Sequence, residues 1–223
     1  MWQLHQFPLC PFSRKVRLVL GEKNVAYELV RTLPWQQGEV LAGLNHAGRV
    51  PVLADPGRNL AIPDSRAICE YLEETVERAP LLTGSSTARA EIRRLVALFD
   101  EGFHGDVTGP LLHEKMMKRL VTRQPPDSRA LREAMKAAHE HLYYLDWLID
   151  TRNWLAGPML SLADLAAAAQ LSVADYLGGI DWTGHEQSKA WYAVVKSRPS
   201  FRPLLQEKME GIHPPAHYAL VDA

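Results

Sequence analysis

The residues best suited to chemistry stand in one run, Cys10-Pro11-Phe12-Ser13-Arg14-Lys15-Val16-Arg17, where an apolar segment from Trp2 to Phe7 gives way to a helical pattern. A thiol at a strand-to-helix junction meets unpaired backbone N–H groups and the positive end of the helix dipole. Both lower a thiol pKa and favour the nucleophilic thiolate. Such a placement suits redox chemistry. The same position also suits a small buried apolar residue, which free cysteines commonly are. At this point both readings stand.

Two cysteines among 223 residues are too few for a disulfide scaffold, and Cys69 lies inside the apolar run 67–72. Both read as reduced thiols of a reducing compartment. The start, Met1-Trp2-Gln3-Leu4-His5, shows no basic region followed by an apolar one, and no apolar run nears the roughly 20 residues of a membrane span. A soluble, cytoplasmic chain is expected. A formal net charge of -1 gives no global attraction to nucleic acid, so any binding surface must be local. At 47% hydrophobic, the chain can bury one large core or two smaller ones.

The elements that must position the thiol divide near residue 80. Before it, strand-like and helix-like segments alternate; after Pro80 and Thr83-Gly84-Ser85-Ser86, almost everything carries helical periodicity. This predicts an α/β domain over 1–80, an all-α domain over 81–208 and an extended tail over 209–223. In the first part, Ser13 to Lys23 interleaves Val16, Leu18, Val19 and Leu20 with basic residues, as an amphipathic helix would, and Tyr27 to Val30 resumes strand patterning. Strand, helix and strand make a βαβ unit. Gln37 to Leu44 reads as a short helix. Pro51 inside Val50-Pro51-Val52-Leu53 cannot donate to a sheet ladder, which places it at an edge, a strand start or a cis turn. Pro56-Gly57-Arg58-Asn59 reads as a hairpin turn, and Asp64-Ser65 caps a helix from Arg66 to Thr75.

These pieces, in this order, resemble the glutathione S-transferase family along essentially the whole chain. The resemblance implies a GST fold: an α/β thioredoxin-like N-terminal domain plus an all-α C-terminal domain. It places Cys10 where the family activates or caps glutathione sulfur, and matches cysteine-type members that exchange disulfides. Cys10 and Ser13 would then be catalytic. Val50 and Pro51 match the family's cis-proline dipeptide, and Asp64 and Ser65 match its acidic-Ser pair, so these four would bind glutathione. In the second part, Ser161-Leu162-Ala163-Asp164 matches the family's central-helix capping signal, a structural role. Between Thr87 and Arg123 apolar residues recur at helical spacing, while Gly102, Gly105 and Gly109-Pro110 predict a kink or break.

The strings 93–100, 110–115, 152–157 and 196–205, with Leu33-Pro34-Trp35 and the proline-rich tail, are similar to a narrower group of GST-like bacterial division factors that bind the filament-forming GTPase FtsZ. That resemblance implies a homodimeric scaffold at the division site with no required cofactor. A fitting surface exists in the sequence. Glu114, Lys115, Lys118, Arg119 and Arg123 share a helical stretch, most of them opposite Leu112, Met116 and Leu120, although a solvated helix face reads the same way. Trp35 is an anchor candidate or an internal packing residue. Pro214-Pro215 stiffens the tail, which can dock or reach outward, and Asp222 would add charge to a contact there. His213 and His217 lack the helix that an i, i+4 metal pair needs, so no metal is expected. Two readings follow: a non-catalytic adaptor for FtsZ filaments, or a glutathione-dependent thiol transferase using Cys10.

Overall fold

A computed structural model describes residues 1–33, Trp35 and 39–220, apart from the side chain of Glu39. The order is β1 (Trp2–Gln6), α1 (Pro11–Glu22), β2 (Tyr27–Arg31), α2 (Glu39–Leu44), β3 (Val52–Asp55), β4 (Leu60–Pro63) and α3 (Ser65–Thr75), followed by helices alone. The sheet runs β2-β1-β3-β4. β1 and β2 pair in parallel through the α1 crossover, while β3 and β4 form an antiparallel hairpin. A short 3-10 turn, Pro56–Arg58, makes that hairpin. Asp55 accepts the Gly57 N–H, and Asn59 takes the left-handed conformation that closes the turn.

α4 (Ser86–Ala97) begins one continuous helical rod that extends to Thr122. A π-helical stretch, Leu98–Thr108, leads into one α turn, α5 (Gly109–Leu111), and a second π-helical stretch, Leu112–Thr122. The predicted break at Gly109-Pro110 is therefore absent. In the wider π turn the Gly109 N–H reaches the His104 carbonyl, five residues back, and this geometry accommodates a proline without ending the rod. The rod is followed by α6 (Ser128–Asp150), α7 (Leu162–Tyr176), α8 (Glu186–Ser197) and α9 (Arg202–Gln206). Among the described residues, no helix is long and apolar enough to cross a membrane.

Every residue of α7 is buried. Its alanine-rich run, 166–169, lets neighbouring helices approach closely. Asp164 fixes its start, accepting from the Ser161 N–H, the Ser161 hydroxyl, the Leu155 N–H and the Trp191 indole. α1 lies against α7 and joins the two halves into one apolar core. α1 is not amphipathic in the expected sense, because its basic residues are buried too: Arg14, Lys15 and Arg17 are each under 4% exposed. Each is held by a distant partner. Lys15 pairs with buried Asp100, Arg17 with Glu207 at 2.7 Å, and Arg14 with three oxygen acceptors.

Of the two courses open to the stiff tail, docking and reaching outward, residues 209–220 take the first. Met209 and Ile212 form a β-bridge, Ala216–Ala219 make a 3-10 turn, and Tyr218 is fully buried. The prolines stiffen a segment that docks.

Candidate functional site

Pro11 opens α1 and Cys10 is its N-cap, so the thiol stands at the predicted junction. It is half-buried, and its Sγ faces the Val50 carbonyl at 3.9 Å. Burial raises the Cys10 pKa above the ordinary thiol value. The Ser13 hydroxyl, the Ser13 and Phe12 N–H groups and the Lys15 charge oppose this without reversing it. The expected activated thiolate is thus not formed by the fold alone. The Ser13 hydroxyl has no well-aligned partner, and Lys15 is already joined to Asp100. Cys69 is further from reactivity, pushed up to about 12 by full burial.

Beside this junction lies a cleft of about 460 Å³. The Val50-Pro51 peptide is cis and precedes β3. Asp64 caps α3 from a left-handed backbone (φ 72°), its carboxylate accepting from the Arg66 N–H at 2.7 Å and the Ala67 N–H at 3.4 Å. Val50, Pro51, Asp64 and Ser65 all line the cleft; Cys10 and Ser13 do not. Phe12, Asn45, Arg49, Arg66 and Asp100 also line it.

At the other end of the rod a second groove, about 660 Å³, forms between Leu112–Thr122, the loop 124–126, the end of α7 and the tail. Glu114, Lys115, Arg119 and Arg123 line it together with Leu177, Ile212 and His213. Their states differ. Glu114 is buried and accepts from the Asp127 N–H at 2.6 Å and Lys118 at 2.7 Å, which hold its carboxyl below the usual range. Lys115 donates to the Leu177 and Gly178 carbonyls at 2.6 and 3.3 Å, and burial lowers its pKa. Gly178, at φ 62°, makes the turn that presents those carbonyls. Arg119 and Arg123 are exposed and make no ion pair or side-chain hydrogen bond among the described residues. Trp35 sits elsewhere, packed edge-on against Phe7 at 5.4 Å. Asp222 lies outside the described residues.

The N-terminal domain profile of the glutathione S-transferases matches residues 4–80. The FtsZ-localized protein A of Caulobacter vibrioides is 47% identical over 98% of this chain and 97% of its own length. The chain belongs to the glutathione S-transferase family. Among solved structures, a glutathione S-transferase from Rhodospirillum rubrum superposes with a TM-score of 0.97 at 49% identity, covering 100% of both chains. FzlA from C. crescentus superposes at 0.96 and 46% identity, over 100% of this chain and 99% of that one.

As a glutathione S-transferase fold, the chain brings the four residues matched to tripeptide binding into one cleft, with the thiol against the Val50 carbonyl and not among the lining residues. The four groove positions named from the rod's sequence also meet, while Lys118 supports them through Glu114. What the sequence did not reveal is the buried polar set beneath the tail: Arg14, Ser172, Asp175 and Tyr218. Arg14 and Ser172 are 158 residues apart, and no local pattern signals such a pair.

Proposed function

We propose that this chain is a non-catalytic adaptor that binds FtsZ filaments at the bacterial division site and regulates constriction. Its likeness to FtsZ-localized protein A over almost the full length of both chains carries the reading. The groove supports it: two exposed guanidiniums without partners among the described residues stand over an apolar floor of Leu177 and Ile212, a surface fit for the carboxylates of a partner protein. Trp35 and Asp222 are further contact candidates. A homodimer would present two such grooves, and linking two weak contacts raises avidity and lets one molecule bridge filaments. The test is co-sedimentation with purified FtsZ and GTP. The chain is expected in the pellet, and Arg119→Glu in the supernatant; absence of the unmodified chain from the pellet would sink the proposal.

A second reading, a glutathione-dependent thiol transferase, is favoured by the convergence of Val50, Pro51, Asp64 and Ser65 on one cleft. Cys10 thiolate would displace a substrate thiol from its mixed disulfide with glutathione, and a second glutathione thiolate would release the adduct as glutathione disulfide. The raised Cys10 pKa weighs against this. Calorimetry with millimolar glutathione separates the two. A saturable heat lost in Cys10→Ser or Ser65→Ala would favour the enzyme.

A further inference from the structure

The last two turns of α6 carry a patch that belongs to neither the cleft nor the Arg119 groove. Tyr143, Asp146, Trp147 and Asp150 stand at spacings of three and four, which sets them side by side on the helix surface. The inner face of these turns, Leu142, Leu145 and Leu148, is buried, whereas Tyr143 and Trp147 are 60% and 58% exposed. Neither ring is a loose rotor. Trp147 stacks on Tyr144 at 5.6 Å, and the Tyr144 hydroxyl accepts from Arg94 at 2.9 Å, which Glu91 holds in turn. Tyr143 meets the His139 and His185 rings edge-on at 4.6 and 4.8 Å. Buried His185 bonds His139 at 2.6 Å and gives its Nδ1 to Asp146 at 2.6 Å. Aromatic rings fixed this way lose little freedom when a partner covers them, which suits them as anchors.

Beside Trp147 a groove of about 400 Å³ runs between α6 and the start of α8, lined by Asp146, Trp147, Asp150, Gly184, Glu186 and Gln187. Its charge has one sign, and no lysine or arginine stands in 137–151 or in 177–188. Asp146 is engaged by His185 and by the Ser188 N–H and hydroxyl. Asp150 and Glu186 are exposed and make no ion pair or side-chain hydrogen bond among the described residues. Asp150 also stands in the last turn of α6, which holds no basic residue. The unpaired carbonyls of that turn already carry partial negative charge, so an acid there weakens its own helix. A cation docked at the same place is drawn by carboxylate and dipole together, and by the face of the Trp147 indole. The same field repels phosphate and so disfavours nucleic acid and anionic lipid.

We propose that this face is a second docking surface, opposite in sign to the Arg119 groove, whose occupant is a basic segment of a partner protein: an arginine or lysine over Trp147, with Asp150 and Glu186 as its counter-ions and an apolar neighbour against Tyr143. The chain then joins two partners of opposite charge. This surface stands whether or not the Arg119 groove meets FtsZ.

The test is a resonance titration of the full chain, isotope-labelled at its indole nitrogens, with a peptide amide of alternating arginine and leucine; a peptide of alternating glutamate and leucine is the control. The Trp147 Nε1–H signal, assigned by its loss in Trp147→Phe, is expected to move saturably with the basic peptide alone, and the affinity to weaken with added salt. In Asp150→Lys the affinity should fall about ten-fold, while the urea midpoint stays level or rises, because an acid has left the C-terminal turn. A Trp147 signal that ignores millimolar basic peptide, or answers both peptides alike, overturns the proposal, as does unchanged affinity in Asp150→Lys. Sedimentation covers the other occupant. A dimer that becomes a monomer in Trp147→Ala has a second copy on this face, which also overturns it. Asp150→Lys should still pellet with FtsZ wherever the unmodified chain does, and Arg119→Glu should still bind the basic peptide, so the two surfaces fail separately. Loss of pelleting in Asp150→Lys would make them one surface and overturn the second.

Discussion

The start of α1 and the far end of the long rod carry similar ingredients, a cluster of basic side chains beside a cavity, and they place them differently. At the start of α1 the cations are inside. Lys15 pairs with Asp100, Arg14 holds backbone and hydroxyl oxygens, and Arg17 reaches Glu207, and the Lys15 charge that does favour a Cys10 thiolate is outweighed by burial. At the rod's end two cations are engaged internally, Lys115 by carbonyls and Lys118 by Glu114, whereas Arg119 and Arg123 stay in solvent. Burial and partner supply, more than residue type, decide whether a basic residue builds the fold or faces a ligand.

The largest effect expected from this contrast is at Lys15. Lys15→Met takes from buried Asp100 its nearest counter-ion and leaves it the half-exposed Arg66 at 3.9 Å, which costs about 3–5 kcal/mol, visible as a lower urea midpoint. Replacing both partners with apolar residues should recover most of that loss. If Lys15→Met costs less than about 1 kcal/mol, far below that range, the α1 cations do not hold the halves together and the contrast fails.

How much of this was legible in the sequence follows from distance along the chain. The Asp64 cap and the Asp164 box could be read because each side chain acts on backbone two or three residues away, and Pro51 because its ring constrains the adjacent peptide bond. The buried cations could not. Lys15 meets Asp100 85 residues on, Arg17 meets Glu207 190 on, and Arg14 meets Tyr218 204 on. Interleaved with leucines and valines, they imitate the polar face of a surface helix. The tail stayed open between docking and reaching outward for a related reason: prolines signal stiffness, but docking depends on the Tyr218 socket built by α1 and α7. The groove was half-legible, since helical spacing grouped its residues without showing that Glu114 and Lys115 turn inward.

The C-terminal end of α1 sharpens the comparison through pH. Burial pulls the Glu22 pKa up, but hydrogen bonds from Arg198 and Ser200 and the Arg198 charge bring it below the ordinary 4.5. A carboxyl with a depressed folded pKa adds stability that is fully present above its unfolded value and is lost as pH falls through the folded one. Glu22→Gln should therefore cost about 1.5–3 kcal/mol near neutrality and nothing in strong acid. Urea titrations from pH 7 downward should show the two proteins converging below pH 4.5. Parallel curves would mean that the Glu22 charge does not join α1 to residues 198–200.

Cys10 gives a smaller, kinetic signal. With its pKa raised above 9.0, alkylation at neutral pH should be slower than that of an unperturbed thiol, and the rate should inflect above 9.0. An inflection below neutrality would reveal an activated thiolate and would return the thiol end to chemistry.

The smallest stability effect is expected at Arg119, and its smallness is the point. Arg119 is exposed and has no partner among the described residues, so Arg119→Glu should move the unfolding free energy by no more than about 0.5 kcal/mol. The same substitution reverses the charge that a carboxylate-bearing partner would meet, so filament pelleting should fall sharply in a protein that is otherwise as stable as before. Lys115→Met is the matched control, since it frees the Leu177 and Gly178 carbonyls and should cost stability. Large loss of binding with intact folding at Arg119, set against loss of folding at Lys115, is the pattern that two kinds of basic residue on one helix must produce. If Arg119→Glu destabilised the chain as much as Lys115→Met, the rod's end would be scaffold, like the start of α1, and the difference between the two regions would vanish.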